Sequence, residues 1–189
     1  MAAQAEPLAG NDAPECWPSA ALAGWLETSF TLQRWAQMVG KVRLALTPLV
    51  NHWWNVPLYV SARGLSTTAI PLGERNFELE FDFLRQTLDL RLSDGESGSI
   101  PLQAGTVADF YHAFLKLLAT HGVEVKIWPM PVEMTARVRF DKDLRPAAYD
   151  PEVAVALWTI LRSAASVFEQ FRAEYLGKCS PVHFFWGSF

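Results

Sequence analysis

The sequence predicts an α+β domain with a mainly antiparallel sheet, a β-meander at its centre and about three covering helices. Strict alternation of apolar and polar residues between positions 77 and 92 indicates paired strands. Apolar residues at steps of three and four indicate helices before and after this region. The 189 residues are 50% hydrophobic and 19% charged, which is enough apolar material for one packed core.

The first helix is predicted from Thr31 to Pro48, where proline ends it. Its apolar face recurs at helical spacing: Leu32, Trp35, Val39, Val42 and Leu46. The run from Leu58 to Arg63 is rich in strand-forming residues, and Gly64 follows it. It predicts a strand that this glycine closes.

The clearest pattern is the alternation of apolar with charged residues on both sides of Arg85-Gln86. The apolar positions are Phe77, Leu79, Phe81, Phe83, Leu88, Leu90 and Leu92. Such a pattern predicts an antiparallel hairpin with one face in water, on which Arg91 offsets Glu78, Glu80 and Asp82. Asp94-Gly95 predicts a further turn into a short strand at Ile100–Leu102, which completes the meander.

A second helix is predicted to begin at Thr106, with Asp109 three residues later as the partner in a capping box. Gly122 is its predicted C-terminal cap. The alternation from Val123 to Ile127 then predicts another strand.

Between Pro129 and Tyr149 the periodicity fades, apart from a short strand expected at Ala136–Phe140. A connection of this length is either a lid over a pocket or an arm packed on the surface, and of the two the arm is preferred.

The third helix is predicted over residues 151–176, with Asp150 as its N-cap, Pro151 at the first helical position and Gly177 after its end. Its apolar residues recur at helical spacing: Leu157, Leu161, Ala164, Ala165, Phe168, Phe171 and Tyr175. The aromatic run from Pro181 to Phe189 is predicted to be a final strand. Residues 1–20 are predicted to be a disordered leader, and residues 21–189 a single domain whose completeness at the C terminus is left open.

Composition argues against several classes of protein. A net charge of −4 and a pI near 5.6 give no reason to expect nucleic acid or anionic lipid as a partner. No apolar run approaches the ~20 residues of a membrane helix, and the N terminus does not resemble a secretory signal. Two cysteines form no disulfide framework, so a cytoplasmic location is expected. A phosphate-binding loop and a Gly-x-Ser-x-Gly motif are both missing from the sequence, and no cofactor is predicted.

Several strings of the sequence resemble an uncharacterised bacterial family, the domain-of-unknown-function family DUF5996. They are "MVGKVRLAL", "VNHWWNVPLYVSARGL", "FELEFDF", "TVADFYHAF" and "GKCSPVHFFWGSF", and the resemblance covers most of the chain from about Trp25 to Phe189. Members of that family continue past the "WGSF" string, so the resemblance implies a C-terminally truncated member and an interior strand at "PVHFFWGSF". The alternative is a central C-terminal strand that is buried on both faces. The resemblance implies a fold and no activity.

Two kinds of site involving Cys179 are weighed and not adopted. Cys179, His52 and His183 could supply three zinc ligands, but their spacing matches no zinc pattern and Pro181 separates Cys179 from His183. A nucleophilic Cys179 would follow a helix C terminus, whose dipole opposes a lowered thiol pKa. No metal site is predicted.

The favoured function is a small-molecule-binding domain whose pocket is lined by aromatic rings and histidine; whether it is an enzyme is left open. A polar or anionic group of the ligand would be oriented by Lys41, Asn51, His52, Arg63 and His183. This interpretation requires the two ring-rich segments, residues 50–60 and 181–189, to enter one water-free interior together. The alternative is an interaction module whose aromatic C-terminal strand pairs with a missing portion or a partner chain, including a second copy.

Overall fold

The computed structural model describes residues 17–18 and 24–189. Within these residues, three α-helices accompany a six-stranded antiparallel sheet, so the predicted α+β class is confirmed. The predicted leader, residues 1–20, lies outside the described residues apart from Trp17 and Pro18.

The helices are α1 (Trp25–Leu46), α2 (Val107–Thr120) and α3 (Pro151–Ala173). The sheet contains β1 (Tyr59–Val60), β2 (Gly64–Ser66), β3 (Ile70–Leu72), β4 (Arg75–Asp82), β5 (Thr87–Leu92) and β6 (Ser97–Pro101). Its order is β1-β2-β4-β5-β6, and β3 also pairs with β4. Two short strands, β7 (Gly105–Thr106) and β8 (Pro146–Ala147), form a separate pair.

The hairpin of β4 and β5 is the centre of the sheet, as predicted. Phe77 lies opposite Leu92, and Phe81 lies opposite Leu88. These apolar side chains are buried on one face of the sheet, in a core that includes the predicted stripe of α1. The alternation of the sequence therefore selects both the register and the buried face.

The sequence predicts that the other face of the hairpin is exposed to water, and this prediction is wrong for its two central acids. Glu80 and Asp89 are opposite each other, and each is only 5% exposed. The Arg91 guanidinium contacts both carboxylates and also Glu78. Arginine side chains lie across the acids and shield them, because a buried carboxylate is stable only when a cation compensates its charge.

The helix caps follow their predicted chemistry. Thr106 and Asp109 form a reciprocal capping box at the start of α2, and Gly122 has the positive φ of a C-terminal cap. At α3, the Asp150 carboxylate accepts hydrogen bonds from the N–H groups of Glu152 and Val153. The helix ends at Ala173, three residues before the predicted end.

Four strand predictions need correction. The predicted strand over 58–63 is reduced to β1, and Gly64 begins β2 instead of closing the first strand. Residues 123–127 have no regular secondary structure; Val123 and Ile127 are buried, but no strand of the described residues pairs with them. Residues 136–140 form no strand, and the aromatic terminus has one bridging residue, Phe184, followed by a 3₁₀ turn over Trp186–Ser188. Side chains can alternate between buried and exposed along a segment that forms no hydrogen bonds to a neighbouring strand, so alternation alone does not establish a strand.

The long connection packs as an arm on the helices. Three contacts hold it: β8 pairs with β7, the Asp143 carbonyl accepts the Ala108 N–H at 3.0 Å, and the Phe140 side chain is fully buried. We call residues 129–149 the arm. Of the two alternatives from the sequence, the structure matches the arm.

Helix α3 has two unlike halves. Its first half is anchored on the core by Val153, Ala154 and Trp158, and the indole N–H of Trp158 donates to the Ser61 carbonyl at 3.2 Å. Its second half is uncovered, with Phe168 58% and Phe171 77% exposed. Of the described helices, α3 alone is long and apolar enough to cross a membrane. One such helix is weak evidence for a membrane span.

Candidate functional site

The two ring-rich segments of the sequence meet at the surface of α1. Leu58 and Phe184 form an antiparallel bridge in which each N–H donates to the other residue's carbonyl at 2.8 Å. Beside this bridge lies a cavity of about 470 Å³. We call it the aromatic pocket; its lining residues are Leu44, His52, Trp53, Val56, Glu133, Phe185 and Trp186. The segments meet as predicted, but not in a water-free interior, because Trp53 is 57% exposed.

One wall of the pocket depends on a glycine of α1. A Cβ atom placed on Gly40 would lie 2.5 Å from Cζ3 and 2.6 Å from Cε3 of Trp186. The indole therefore packs directly on the helix backbone, where any side chain would displace it. The ring contact of Phe184 with Phe189, at 4.8 Å between centroids, holds the same C-terminal turn.

Three residues of the pocket have a left-handed backbone although none is glycine. The φ angles are 57° at His52, 60° at Trp53 and 56° at Glu133. Among the described residues, only Thr68 and Gln86 share this property without being glycine. Such conformations cost free energy, and for a bulky residue like Trp53 they are outliers. Their concentration around one cavity indicates that the surrounding structure selects these side-chain directions.

The loop that carries His52 and Trp53 is fixed by side-chain hydrogen bonds. Asn55 donates from Nδ2 to Thr47 Oγ1 at 3.2 Å, and its Oδ1 accepts the Val50 N–H at 3.3 Å. The Arg43 guanidinium donates to the Pro57 carbonyl. These bonds tie both ends of the loop to the end of α1, so the pocket residues lie on a supported segment.

The arm supplies Glu133, and α1 holds the arm in place. Gln37 is fully buried and makes two bonds with Val132: its Nε2 donates to the carbonyl at 2.8 Å, and its Oε1 accepts the N–H at 2.9 Å. A Cβ on Gly187 would lie 2.3 Å from Glu133 Oε2, so the carboxylate lies against the C-terminal turn. Glu133 therefore closes the rim between the arm and the aromatic terminus.

Lys41, predicted to orient a ligand, is used to hold the arm. Its Nζ donates to the Met130 carbonyl at 2.7 Å and lies 4.8 Å from the centroid of the Trp128 ring. Burial lowers the pKa of the Lys41 ammonium to about 8. Lys41 is not among the residues that line the aromatic pocket.

The other predicted residues are distributed over the molecule. Asn51 is exposed beside His52, and its carbonyl accepts the Trp54 N–H at 3.4 Å. Arg63 pairs with Asp82. His183 Nδ1 lies 2.6 Å from the Pro181 carbonyl oxygen, in a groove along α3 that is separate from the aromatic pocket. Of the five candidates, the structure places His52 in the pocket, with its ring 5.1 Å from that of Trp54.

The acidic residues of the sheet have structural partners. Burial alone would raise the pKa of the Asp82 carboxyl, but the Arg63 guanidinium and the N–H groups of Arg85 and Leu84 outweigh it and hold that pKa below its ordinary value. Asp89 contacts Arg85 at 3.2 Å as well as Arg91. These carboxylates are neutralised by arginine and are not free for acid–base chemistry.

The residues considered for a metal or a nucleophile do not assemble. Within residues 17–18 and 24–189, no group of three or more His, Cys, Asp or Glu side chains is placed to hold a metal ion. Cys179 is exposed and forms no disulfide. His52 and His183 line different cavities.

Sequence reasoning missed Glu133, and it had no signal for this residue. The acid lies in the stretch where periodicity fades, and its left-handed φ is not encoded by a glycine. The contribution of Phe185 and Trp186 was expected only as part of the ring-rich terminus. Another depression of about 440 Å³ lies at the start of α3, but its described lining contains no aromatic side chain.

Comparison with known proteins identifies a family. A family model described as "Family of unknown function (DUF5996)" matches residues 17–189. No curated protein and no solved structure matches the chain. Because the family model spans nearly the whole chain and includes every residue of the aromatic pocket, the chain belongs to the DUF5996 family of unknown function.

Proposed function

We propose that this domain binds a small molecule in the aromatic pocket. The observation that carries the proposal is the convergence of His52, Trp53 and Glu133, all left-handed, on one cavity that is also walled by Phe185 and Trp186. Strained residues persist where the surrounding structure requires them, and they cluster at ligand sites. The volume of about 470 Å³ falls within the range of roughly 300–1,000 Å³ that is usual for ligand pockets.

Binding is proposed here without catalysis. The described lining offers one imidazole and one carboxylate among apolar walls, which suits recognition. We place this function in the cytoplasm, a proposal supported by the free thiol of the exposed Cys179, since oxidising compartments favour disulfides. The net charge of −4 supports the further proposal that neither nucleic acid nor an anionic membrane is the partner.

A fragment screen by thermal shift and ligand-observed NMR tests the proposal. A ligand that binds only the folded state raises its apparent stability, and Trp53→Ala should abolish the shift. Trp17→Ala is the matched control, because Trp17 is 56% exposed and does not line the pocket. The proposal is contradicted if no fragment binds, or if every bound fragment responds to Trp17→Ala and not to Trp53→Ala.

A second candidate function is self-association through α3, and the uncovered half of that helix favours it. Five residues of α3 follow the alternating steps of four and three that define a helix–helix seam: Leu157, Leu161, Ala164, Phe168 and Phe171. Leu157 and Leu161 pack against the core, whereas the aromatic members are exposed. A helix therefore fits this surface better than a flat partner.

The proposed occupant is α3 of a second copy, in antiparallel orientation. In this orientation Phe168 of one copy lies against Phe171 of the other, so the two exposed rings cover each other. Glu169 and Arg172, 3.3 Å apart, form an ion pair beside these rings within each copy. The seam, and not the aromatic terminus, is thus the surface proposed for self-association.

A further inference from the structure

The walls of the aromatic pocket combine electron-rich rings with one acid and no strong base. Trp53, Phe185 and Trp186 present aromatic surface, Glu133 presents a carboxylate, and the described lining contains neither lysine nor arginine. The faces of such rings carry partial negative charge and attract cations that approach within about 6 Å of the ring centre. We propose that the pocket binds a small organic cation, an ammonium group with apolar substituents. The inference rests on the proposed function and names its ligand class.

Glu133 is available to a ligand in a way that the acids of the sheet are not. Among the described residues, Glu133 forms no ion pair, whereas Glu80, Asp82 and Asp89 each contact an arginine. Its oxygen Oε2 lies against the turn that carries Trp186, 2.3 Å from where a Cβ on Gly187 would be. The uncompensated charge is therefore directed to the same rim as the rings.

An anionic ligand would find no partner of opposite charge in the pocket. The cations that the sequence offered for this role are engaged elsewhere, Lys41 with the Met130 carbonyl and Arg63 with Asp82. A simple ammonium ion without apolar substituents would leave the apolar lining, which includes the aromatic rings, Leu44 and Val56, without contacts. A cation with methyl or larger alkyl groups satisfies both the rings and the acid.

Choline and 3,3-dimethyl-1-butanol provide the test, because the second replaces the quaternary nitrogen with carbon and keeps the shape. Calorimetry should show choline binding about tenfold more tightly, a ratio in keeping with one desolvated cation–π contact. Glu133→Gln, an isosteric change at an exposed residue, should reduce that ratio several-fold, because the cation loses its carboxylate partner and the neutral alcohol has no charge to lose. Glu124→Gln is the matched control for net charge, since Glu124 is exposed and outside the pocket.

The outcomes separate this inference from the function on which it rests. Equal affinity for the cation and the alcohol, or a preference unchanged by Glu133→Gln, overturns the cation inference and leaves the binding pocket intact. The cation inference is likewise overturned, and the binding pocket retained, if a neutral fragment binds at Trp53 and choline does not bind. Failure of choline, the alcohol and the whole fragment screen overturns both proposals.

Discussion

Replacing Gly40 with alanine tests whether Trp186 forms the wall of the aromatic pocket. The added methyl would lie 2.5 Å from Cζ3 of the indole, well inside van der Waals contact. The nearest other atom is the Val56 carbonyl oxygen, at 3.7 Å, which a methyl group tolerates. The whole conflict is therefore with one ring, and that ring can be removed independently.

Two effects of opposite sign determine the size of the change. Gly→Ala inside a helix stabilises it by about 1 kcal/mol. Overpacking a buried contact costs about 1–3 kcal/mol, because the ring and its neighbours must move. The overpacking term wins, so we expect Gly40→Ala to lower the free energy of unfolding by about 1 kcal/mol.

A double-mutant cycle with Trp186→Ala isolates the contact. In the absence of the indole, only the helix propensity remains, and Gly40→Ala should become stabilising by about 1 kcal/mol. The coupling energy between the two positions is then about 2 kcal/mol, within the range of residues in contact. Urea unfolding of the four proteins, followed by far-UV circular dichroism, supplies the four values.

The result that refutes this reasoning is additivity. If Gly40→Ala stabilises the protein equally with and without Trp186, the indole does not pack on α1, and the pocket loses that wall. A coupling energy near zero would also weaken the proposal of ligand binding and the cation inference that rests on it, and would leave the α3 seam untouched.

The remaining predictions concern charge, strain and association. Burial lowers the pKa of Lys41 from 10.5 to about 8, so between these pH values the unfolded chain holds a proton that the folded chain has lost. The free energy of unfolding should therefore rise from pH 8 to pH 10.5, by at most about 3 kcal/mol. Urea unfolding at each pH should show no such rise in Lys41→Met. Trp53→Gly should be more stable than Trp53→Ala by about 1 kcal/mol in thermal unfolding, the reverse of the order in regular backbone, because only glycine adopts φ 60° freely. Phe171→Ser should shift any dimer towards monomer in sedimentation analysis, whereas Leu144→Ser should not, since Leu144 is 75% exposed, close to the 77% of Phe171, and lies outside α3; a dimer unaffected by Phe171→Ser would exclude the α3 seam.

The parts of the fold that the sequence predicts are those set by local periodicity. The stripe of α1, the register of β4 with β5 and the N-cap at Asp150 all depend on residues close together in the chain. Here the apolar pattern and the capping chemistry agree, and tertiary contacts only reinforce them. The overall class and the long third helix follow from the same signals.

The parts that failed depend on what a segment packs against. Val123 and Ile127 alternate like a strand and are buried like one, yet no strand of the described residues pairs with them. The stripe of α3 predicts an apolar face, but its spacing does not reveal that Phe168 and Phe171 remain largely exposed. Periodicity indicates which side chains are apolar on one face, but it does not indicate which element of the fold packs against that face.

The sequence allowed the side of the pocket formed by His52 to be predicted, but not the side formed by Glu133. His52 stands in a ring-rich string that attracts attention by composition, whereas Glu133 reaches the pocket because Gln37 holds the backbone of Val132, 95 positions away in the chain. Such a contact leaves no local pattern. Lys41 and Arg63 were predicted to belong to the site only because they are cations. In the structure Lys41 bonds to the Met130 carbonyl and Arg63 pairs with Asp82.

The strain around the pocket links its architecture to a function. A chain selected for stability alone would place glycine at positions 52, 53 and 133, since glycine adopts a positive φ without steric cost. Instead the sequence has an imidazole, an indole and a carboxylate there, and each faces the same cavity. We attribute the stability forgone at these positions to the ligand contacts proposed for these side chains. A Trp53→Gly variant that is more stable and binds no ligand would show that trade directly.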